Sequence, residues 1–216
     1  MTSQSFGARD SFIFLAVATL AMAAVVVASN YLVQFPVNAT LGALNLADLL
    51  TWGAFTYPIA FLVTDLTNRT LGTSRAQIVI AVGFIIAVVL SIWFATPRIA
   101  IASGTAFLVA QLLDVAIFDR LRHKGWWRAP LMSSVAGSVL DTVLFFSLAF
   151  AASFVLLGPN DEFAIGLSPV LGVLPVEAPR WVSWALGDLA VKLLVALALL
   201  LPYRLASAGL PALRRS

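Results

Sequence analysis

Six long apolar runs, separated by short polar segments, occupy most of the chain. They lie at about residues 11–33, 46–67, 75–94, 99–118, 129–157 and 181–201. An apolar run of about 20 residues is long enough to cross the hydrocarbon core of a bilayer as an α-helix. The sequence therefore predicts an all-α membrane protein, a six-transmembrane-helix bundle that forms a single polytopic domain over residues 1–216.

The composition supports the same class. Of the 216 residues, 61% are hydrophobic and 11% are charged, whereas soluble domains average about 45–50% and about 25%. A soluble core of this size cannot hide so much apolar surface, but lipid can. The first run also has features of a cleaved signal peptide. Its length and the five runs that follow favour an uncleaved helix.

The positions of the basic residues predict the orientation of the bundle. An even number of spans places both termini on one side, and with that side inside, ten basic residues fall inside: Arg9, Arg69, Arg75, Arg120, Arg122, Lys124, Arg128, Arg204, Arg214 and Arg215. Arg98 and Arg180 fall outside, and Lys192 lies within a span. Cytoplasmic loops carry an excess of lysine and arginine, so the sequence predicts an N-in/C-in protein. The basic residues are distributed among these loops, which argues against a nucleic-acid partner.

The residue types exclude several kinds of chemistry. The chain has no cysteine, and its single histidine, His123, lies in a basic loop. Cysteine ligands, thiol catalysis and disulfides are therefore excluded, and a histidine metal site or a Ser-His-Asp triad is set aside. The sequence predicts no metal, no cofactor and no catalytic residue. An intramembrane enzyme with Asp114 and Asp141 as paired carboxylates is the weakest interpretation, because no recognisable protease or metal-site spacing accompanies them.

Ionisable residues within the last two runs point to a functional centre. Each costs at least about 2.5–3.5 kcal/mol in the bilayer core, so each needs a partner or a wet cavity. Asp188 and Lys192 are four residues apart and can pair on one helix face. Asp141 lies about 18 Å along its helix from Ala129, near mid-bilayer, and Lys192 is its expected partner. The sequence predicts that these three residues bind solute; the alternative is a self-neutralised pair of Asp188 and Lys192 that only lowers the insertion cost.

The fourth run carries Gln111 and Asp114, three residues apart and therefore on one face of the helix. A carboxamide and a carboxylate together match the donor and acceptor groups on the edge of a heterocycle, which predicts a second part of the solute site. Hydrogen bonding between helices is the alternative interpretation.

The second run has polar residues at both of its ends. Asn45 and Asp48 lie near the outer end, and Asp65, Asn68 and Arg69 lie near the inner end. These five complete the set of predicted substrate-binding residues. The alternative is strong here, since residues at the interface also cap and anchor helices.

A long segment of the chain resembles a known family. Residues 45–76 are similar to the hallmark segment of the queuosine precursor transporter family, also called the vitamin uptake transporter family. The matching residues are Thr56, Tyr57, Pro58, Thr64, Asp65, Asn68, Arg69, Gly72 and Arg75. Residues 111–118 and 128–141 and the Asp188/Lys192 span also resemble the family, so the likeness covers most of the chain from about residue 38 to 201.

The resemblance implies a multi-pass importer in the bacterial inner membrane. Its solutes would be the queuosine precursors 7-cyano-7-deazaguanine and 7-aminomethyl-7-deazaguanine, so the expected partners are a 7-deazapurine and the lipid bilayer. Homo-oligomer formation is left open. No Walker motif is present in the sequence, which favours an ATP-independent carrier. The alternative is a solute-binding subunit of an ATP-driven vitamin importer of the energy-coupling-factor type.

Overall fold

The computed structural model describes residues 7–210 and is built almost entirely from helices. Their bounds, in chain order, are α1 (Ala8–Leu32), α2 (Gly53–Thr56), α3 (Ile59–Leu71), α4 (Thr73–Phe94), α5 (Pro97–Leu121), α6 (Arg128–Phe150), α7 (Glu162–Ile165) and α8 (Arg180–Ala208). Two short antiparallel pairs of strands lie in loops: β1 (Thr40–Leu41) with β2 (Leu44–Asn45), and β3 (Leu167–Pro169) with β4 (Glu177–Pro179).

Among the described residues, five helices are long and apolar enough to cross a membrane. They are α1, α4, α5, α6 and α8. Many of their large apolar side chains, such as Leu20, Ile92 and Trp93, are exposed on the outside of the bundle, as expected of a surface in contact with lipid. The predicted all-α membrane protein is therefore confirmed. The count of six spans and the N-in/C-in orientation stay predictions, and Arg214 and Arg215, used for that orientation, lie outside the described residues.

The second predicted span, at about 46–67, is not one continuous helix. Leu46–Asp48 forms a single 3-10 turn, and α2 and α3 are separated by Tyr57 and Pro58. Pro58 has no N–H group to donate, and the amides of Ala60 and Phe61 donate to carbonyls only three residues back. Tyr57 and Pro58 nevertheless keep helical dihedral angles (φ −56°, ψ −41° and φ −61°, ψ −16°), so α2 and α3 follow one another closely.

Other predicted boundaries shift by a few residues, and the largest change is in the fifth run. That run was predicted at about 129–157, but α6 ends at Phe150 because Ala151 is extended (φ −67°, ψ 134°) and 3-10 turns follow over Ala152–Leu157. Arg98, in the first turn of α5, is buried and donates to the carbonyl oxygens of Leu148 (2.9 Å) and Ala151 (2.6 Å). The first of these bonds satisfies a carbonyl group that the end of α6 leaves without a helical partner. The second ties α5 to Ala151, just beyond the end of α6, whose carbonyl oxygen also accepts from the Phe154 amide.

Small residues let the helices of the core approach closely. Gly137 of α6 faces Phe61 of α3, and a Cβ atom at Gly137 would lie 2.8 Å from the Phe61 ring. Gly83 of α4 is similarly close to Met22 of α1, at 2.7 Å. Glycine at helix contacts permits this spacing in membrane bundles. As a result α3, α6 and α8, together with α5, bring polar side chains together in the interior.

Candidate functional site

Lys192 lies at the centre of a buried network of charged side chains. Its Nζ atom is 2.6 Å from Asp141 Oδ2 and 2.5 Å from Asp188 Oδ2. The side chains of Lys192 and Asp141 are 5% and 6% exposed, and that of Asp188 is 15% exposed. Charges buried in this way need hydrogen-bonded partners of opposite sign. The predicted contacts of Lys192 with both carboxylates are confirmed; their role in solute binding stays a prediction.

Two neutral side chains complete the network. The Tyr57 hydroxyl donates to Asp141 Oδ1 at 3.0 Å, and Thr142 Oγ1 donates to Asp188 Oδ2 at 2.9 Å. Lys192 Nζ also lies 5.2 Å from the centre of the Tyr57 ring, within range of a cation–π contact. The sequence did not identify Thr142, and it singled out Tyr57 only as part of the segment that resembles the family. The position of Thr142 directly after Asp141 was the available signal.

The network forms part of the lining of an open cavity of about 1200 Å³. Five of the ten predicted substrate-binding residues line it: Asn45, Asp48, Asp141, Asp188 and Lys192. Asn45 Nδ2 donates to Asp48 Oδ2 at 2.7 Å, and both residues are in the loop that precedes α2. The cavity therefore joins a polar loop near the surface to the buried charges between α6 and α8.

Aromatic side chains form another part of the cavity wall. The residues concerned are Phe145, Phe146, Phe150, Phe163 and Trp184. The Phe163 and Trp184 rings are stacked with their centres 6.1 Å apart, and Phe150 meets the Trp184 ring edge to face at 5.4 Å. A cavity with flat apolar walls and a few polar groups suits an organic molecule that is planar and carries hydrogen-bonding groups on its edge.

Gln111 and Asp114 lie apart from the charged network, and their predicted role as a second part of the solute site stays a prediction. Both are fully buried between helices and do not line the large cavity. Thr64 donates to Gln111 Oε1 at 2.7 Å, which joins α3 to α5. Asp65 likewise does not line the large cavity, and it accepts a hydrogen bond from Ser133 of α6 at 3.3 Å. These residues form a second polar layer between α3, α5 and α6.

Asn68 and Arg69 also lie away from the large cavity, at contacts between helices. Asn68 Nδ2 donates to the Val115 carbonyl oxygen of α5 at 3.1 Å, and the Asn68 carbonyl oxygen accepts from Arg122. Arg69 donates to the Tyr203 hydroxyl of α8 at 3.4 Å. These contacts are the ones expected from the alternative interpretation, in which Asn68 and Arg69 anchor helices and do not bind solute. Within residues 7–210, no group of three or more histidine or acidic side chains is placed to hold a metal ion.

An apolar helical bundle with an open cavity that reaches buried charges defines a multi-pass membrane protein with a water-accessible polar centre. The family described as "Putative vitamin uptake transporter" matches residues 51–96 and 91–206, and the chain belongs to this family. This confirms the family that the sequence resemblance indicated.

Two curated bacterial relatives match the chain over most of its length. The "Probable queuosine precursor transporter" of Haemophilus influenzae is 36% identical over 205 residues, which cover 82% of this chain and 79% of the relative. The "Queuosine precursor transporter" of Escherichia coli is 34% identical over 199 residues, with the same shares covered. No solved structure gives a significant match to the chain.

Proposed function

We propose that this protein imports queuosine precursors, namely 7-cyano-7-deazaguanine and 7-aminomethyl-7-deazaguanine, across the bacterial inner membrane as an ATP-independent carrier. The names of both relatives support transport of queuosine precursors. The observation that carries the proposal is the buried contact of Lys192 with Asp141 and Asp188 beside a cavity of about 1200 Å³.

The chemistry of the cavity fits the edge of a guanine-like base. Such a base presents a ring N–H and an exocyclic amine side by side, and a carboxylate accepts from both at once. Asp188 suits this task because it is the most exposed of the three charged residues. Its Oδ1 atom accepts no hydrogen bond from residues 7–210, whereas Oδ2 receives Lys192 and Thr142. Oδ2 becomes available for the second N–H group when Lys192 turns to the base. Lys192 can donate to the carbonyl oxygen of the base.

The aromatic part of the cavity fits the face of the same molecule. Stacking of a base on an aromatic side chain contributes about 1–3 kcal/mol to binding. Phe146 and Trp184 line the same cavity as Asp188 and Lys192. One planar solute could therefore stack on a ring while its edge is bound by the charged residues, which is the combination that a deazaguanine requires.

The loops around the cavity support a state that is open to the outside. Gln34, Thr96 and Ser168 line the cavity, and they belong to the loops after α1, between α4 and α5, and before α8. The basic-residue pattern predicts that these loops lie outside. A cavity open at that end is the arrangement that an importer needs in order to take up solute.

Neither relative is named as a subunit of an ATP-driven importer, so the energy-coupling-factor alternative receives no support. The same names point to a protein that is not an enzyme.

Uptake of radiolabelled 7-cyano-7-deazaguanine into liposomes containing only this purified protein tests the proposal. We expect uptake without ATP, and a drop of at least about tenfold in Asp188→Asn, because the amide that replaces the carboxylate oxygen cannot accept the second hydrogen bond. Asp10→Asn, a change at an exposed residue in the first turn of α1, is the matched control. Binding of the compound without any transport by the wild-type protein would refute the carrier proposal.

A further inference from the structure

Two carboxyl groups lie next to each other in the second polar layer, outside the large cavity. Asp65 of α3 and Asp114 of α5 are within hydrogen-bonding reach of each other. They are 1% and 0% exposed. Ser133 of α6 lies beside both, and its one hydroxyl proton is taken by Asp65 Oδ1 or by the Pro130 carbonyl oxygen, each 3.3 Å away. Both oxygens of Asp114 therefore lack a donor among the described residues.

This arrangement is not stable with two negative charges. Burying one charged carboxylate without a donor is costly, and two adjacent carboxylates repel each other, so that such pairs share a proton. The Gln111 amide nitrogen, three residues from Asp114 on α5, is also fully buried and has no partner in residues 7–210. Its carbonyl oxygen is held by Thr64. Within residues 7–210, no hydrogen-bond donor therefore stabilises a negative charge on Asp114.

The charged and titratable groups on the neighbouring helices are engaged elsewhere. Arg69 of α3 donates to Tyr203 of α8, and Arg122 after α5 contacts Asp119 and Asn68. On α6, Arg128 packs on the Trp127 ring, and Asp141 is bound to Lys192. Each of these groups has a partner of its own, and neither oxygen of Asp114 accepts a hydrogen bond within residues 7–210, so a proton is the ligand that the pair can take.

We propose that Asp65 and Asp114 form a proton-binding site that couples solute import to the inward movement of H⁺. The proposal rests on the proposed function. Asp65 also lines a small cavity of about 10 Å³ together with Ser134 and Tyr203, a space that holds about one water molecule. A proton can enter or leave there without passing through the large cavity.

Helix α6 joins the proton site to the solute site. Ser133 contacts Asp65, and Asp141, eight residues further along the same helix, holds Lys192. The two sites are therefore about 12 Å apart along α6. A shift of this helix on proton release would act on both sites at once, which is the physical requirement for coupling.

Infrared difference spectroscopy of the purified protein detects the proton without any solute. We expect the C=O stretching band of a protonated carboxyl group in the wild-type protein at pH 7. The band should move in Asp65→Asn and in Asp114→Asn, disappear in the double variant, and remain unchanged in Asp10→Asn. Absence of the band in the wild type, or unchanged single variants, would overturn the proton site even if the double variant does not fold.

Liposome uptake of 7-cyano-7-deazaguanine then tests coupling. One proton per solute and one pH unit, acidic outside, support about tenfold accumulation. We expect this in the wild type, whereas Asp114→Asn should exchange the compound across the membrane without accumulating it. Uptake to equal concentrations regardless of pH overturns the coupling, and loss of exchange in both single variants assigns the pair to the solute pathway instead. If the wild type takes up nothing, the proposed function fails while the infrared band still decides the proton site.

Discussion

Lys192 forms ion pairs with two carboxylates at once, and its position explains why three ionisable residues are tolerated in an apolar bundle. Removing one partner of a buried ion pair costs about 3–5 kcal/mol, because the other charge is left unpaired. We expect Lys192→Met to lower the free energy of unfolding by this amount, since Asp141 and Asp188 would both lose the cation. Thermal unfolding in detergent measures the effect.

A triple variant separates stability from function at the same site. Asp141→Asn/Asp188→Asn/Lys192→Met removes all three charges, so stability should return toward that of the wild type while uptake of 7-cyano-7-deazaguanine remains lost. If Lys192→Met alone were as stable as the wild type, the network would not carry the energetic role that its burial implies.

The sequence predicted part of this network because part of it is local. Asp188 and Lys192 are one helical turn apart, and the depth of Asp141 along its helix matched that of Lys192. The Tyr57–Asp141 bond joins residues that are 84 positions apart, so it depends on how α6 packs against the segment that holds Tyr57. The position of Asp114 away from the large cavity could not be predicted for the same reason, because it depends on how the helices pack and not on the sequence of its own helix.

At the scale of helices, the spacing of α3 and α6 depends on a glycine. A Cβ atom at Gly137 would lie 2.8 Å and 3.0 Å from two ring atoms of Phe61, which is 1% exposed and cannot move away freely. We expect Gly137→Ala to destabilise the protein by about 1–3 kcal/mol through overpacking. Gly209→Ala is the control, because the nearest atom to its Cβ is 3.9 Å away.

The same change should reach the solute site. Phe61 packs against the Tyr57 ring, with centres 6.2 Å apart, and Tyr57 donates to Asp141. Gly137→Ala should therefore reduce uptake as well as thermal stability, and Phe61→Leu in the same chain should restore part of both. An unfolding temperature equal to that of Gly209→Ala would show that the helices are not in close contact at this point.

Arg98 has a comparable role at the end of α6. Besides Leu148 and Ala151, it donates to the carbonyl oxygens of Gly158 and Pro159 and to Asn160 Oδ1, at 3.1–3.3 Å. A lysine has one ammonium group and cannot reproduce the set of hydrogen bonds that the planar guanidinium group donates. We expect Arg98→Lys to speed hydrogen exchange over residues 151–160, with Arg9→Lys as the exposed control. Exchange at the wild-type rate would show that Arg98 does not hold residues 151–160 in place.

Helix boundaries followed the apolar runs except where a single residue intervened. Pro58 interrupts the second run. Arg98 binds the chain where α6 ends, several residues before the end of the fifth apolar run. The sequence placed Arg98 only as an outside charge, because nothing in its own segment indicates that it binds carbonyl groups 50 and 53 residues away. Such contacts arise from the tertiary arrangement.

For the whole molecule, the number of membrane crossings depends on α2 and α3. Together with Tyr57 and Pro58 they extend about 28 Å if the helical rise continues through the interruption, close to the roughly 30 Å thickness of the hydrocarbon core. They would then supply a sixth crossing, and both termini would share a side. With five crossings the termini would lie on opposite sides.

The chain has no cysteine, so single cysteine variants report the topology without background. We expect Glu177→Cys to react with a membrane-impermeant thiol reagent in whole cells, whereas Asp10→Cys, Lys124→Cys and Ala208→Cys should react only after the cells are opened. All four positions are exposed. Reaction of Asp10→Cys but not Ala208→Cys in intact cells would mean that α2 and α3 do not cross. The loop after α1 lines the large cavity together with loops on the Glu177 side, and only a crossing by α2 and α3 places all of these loops on one side of the membrane.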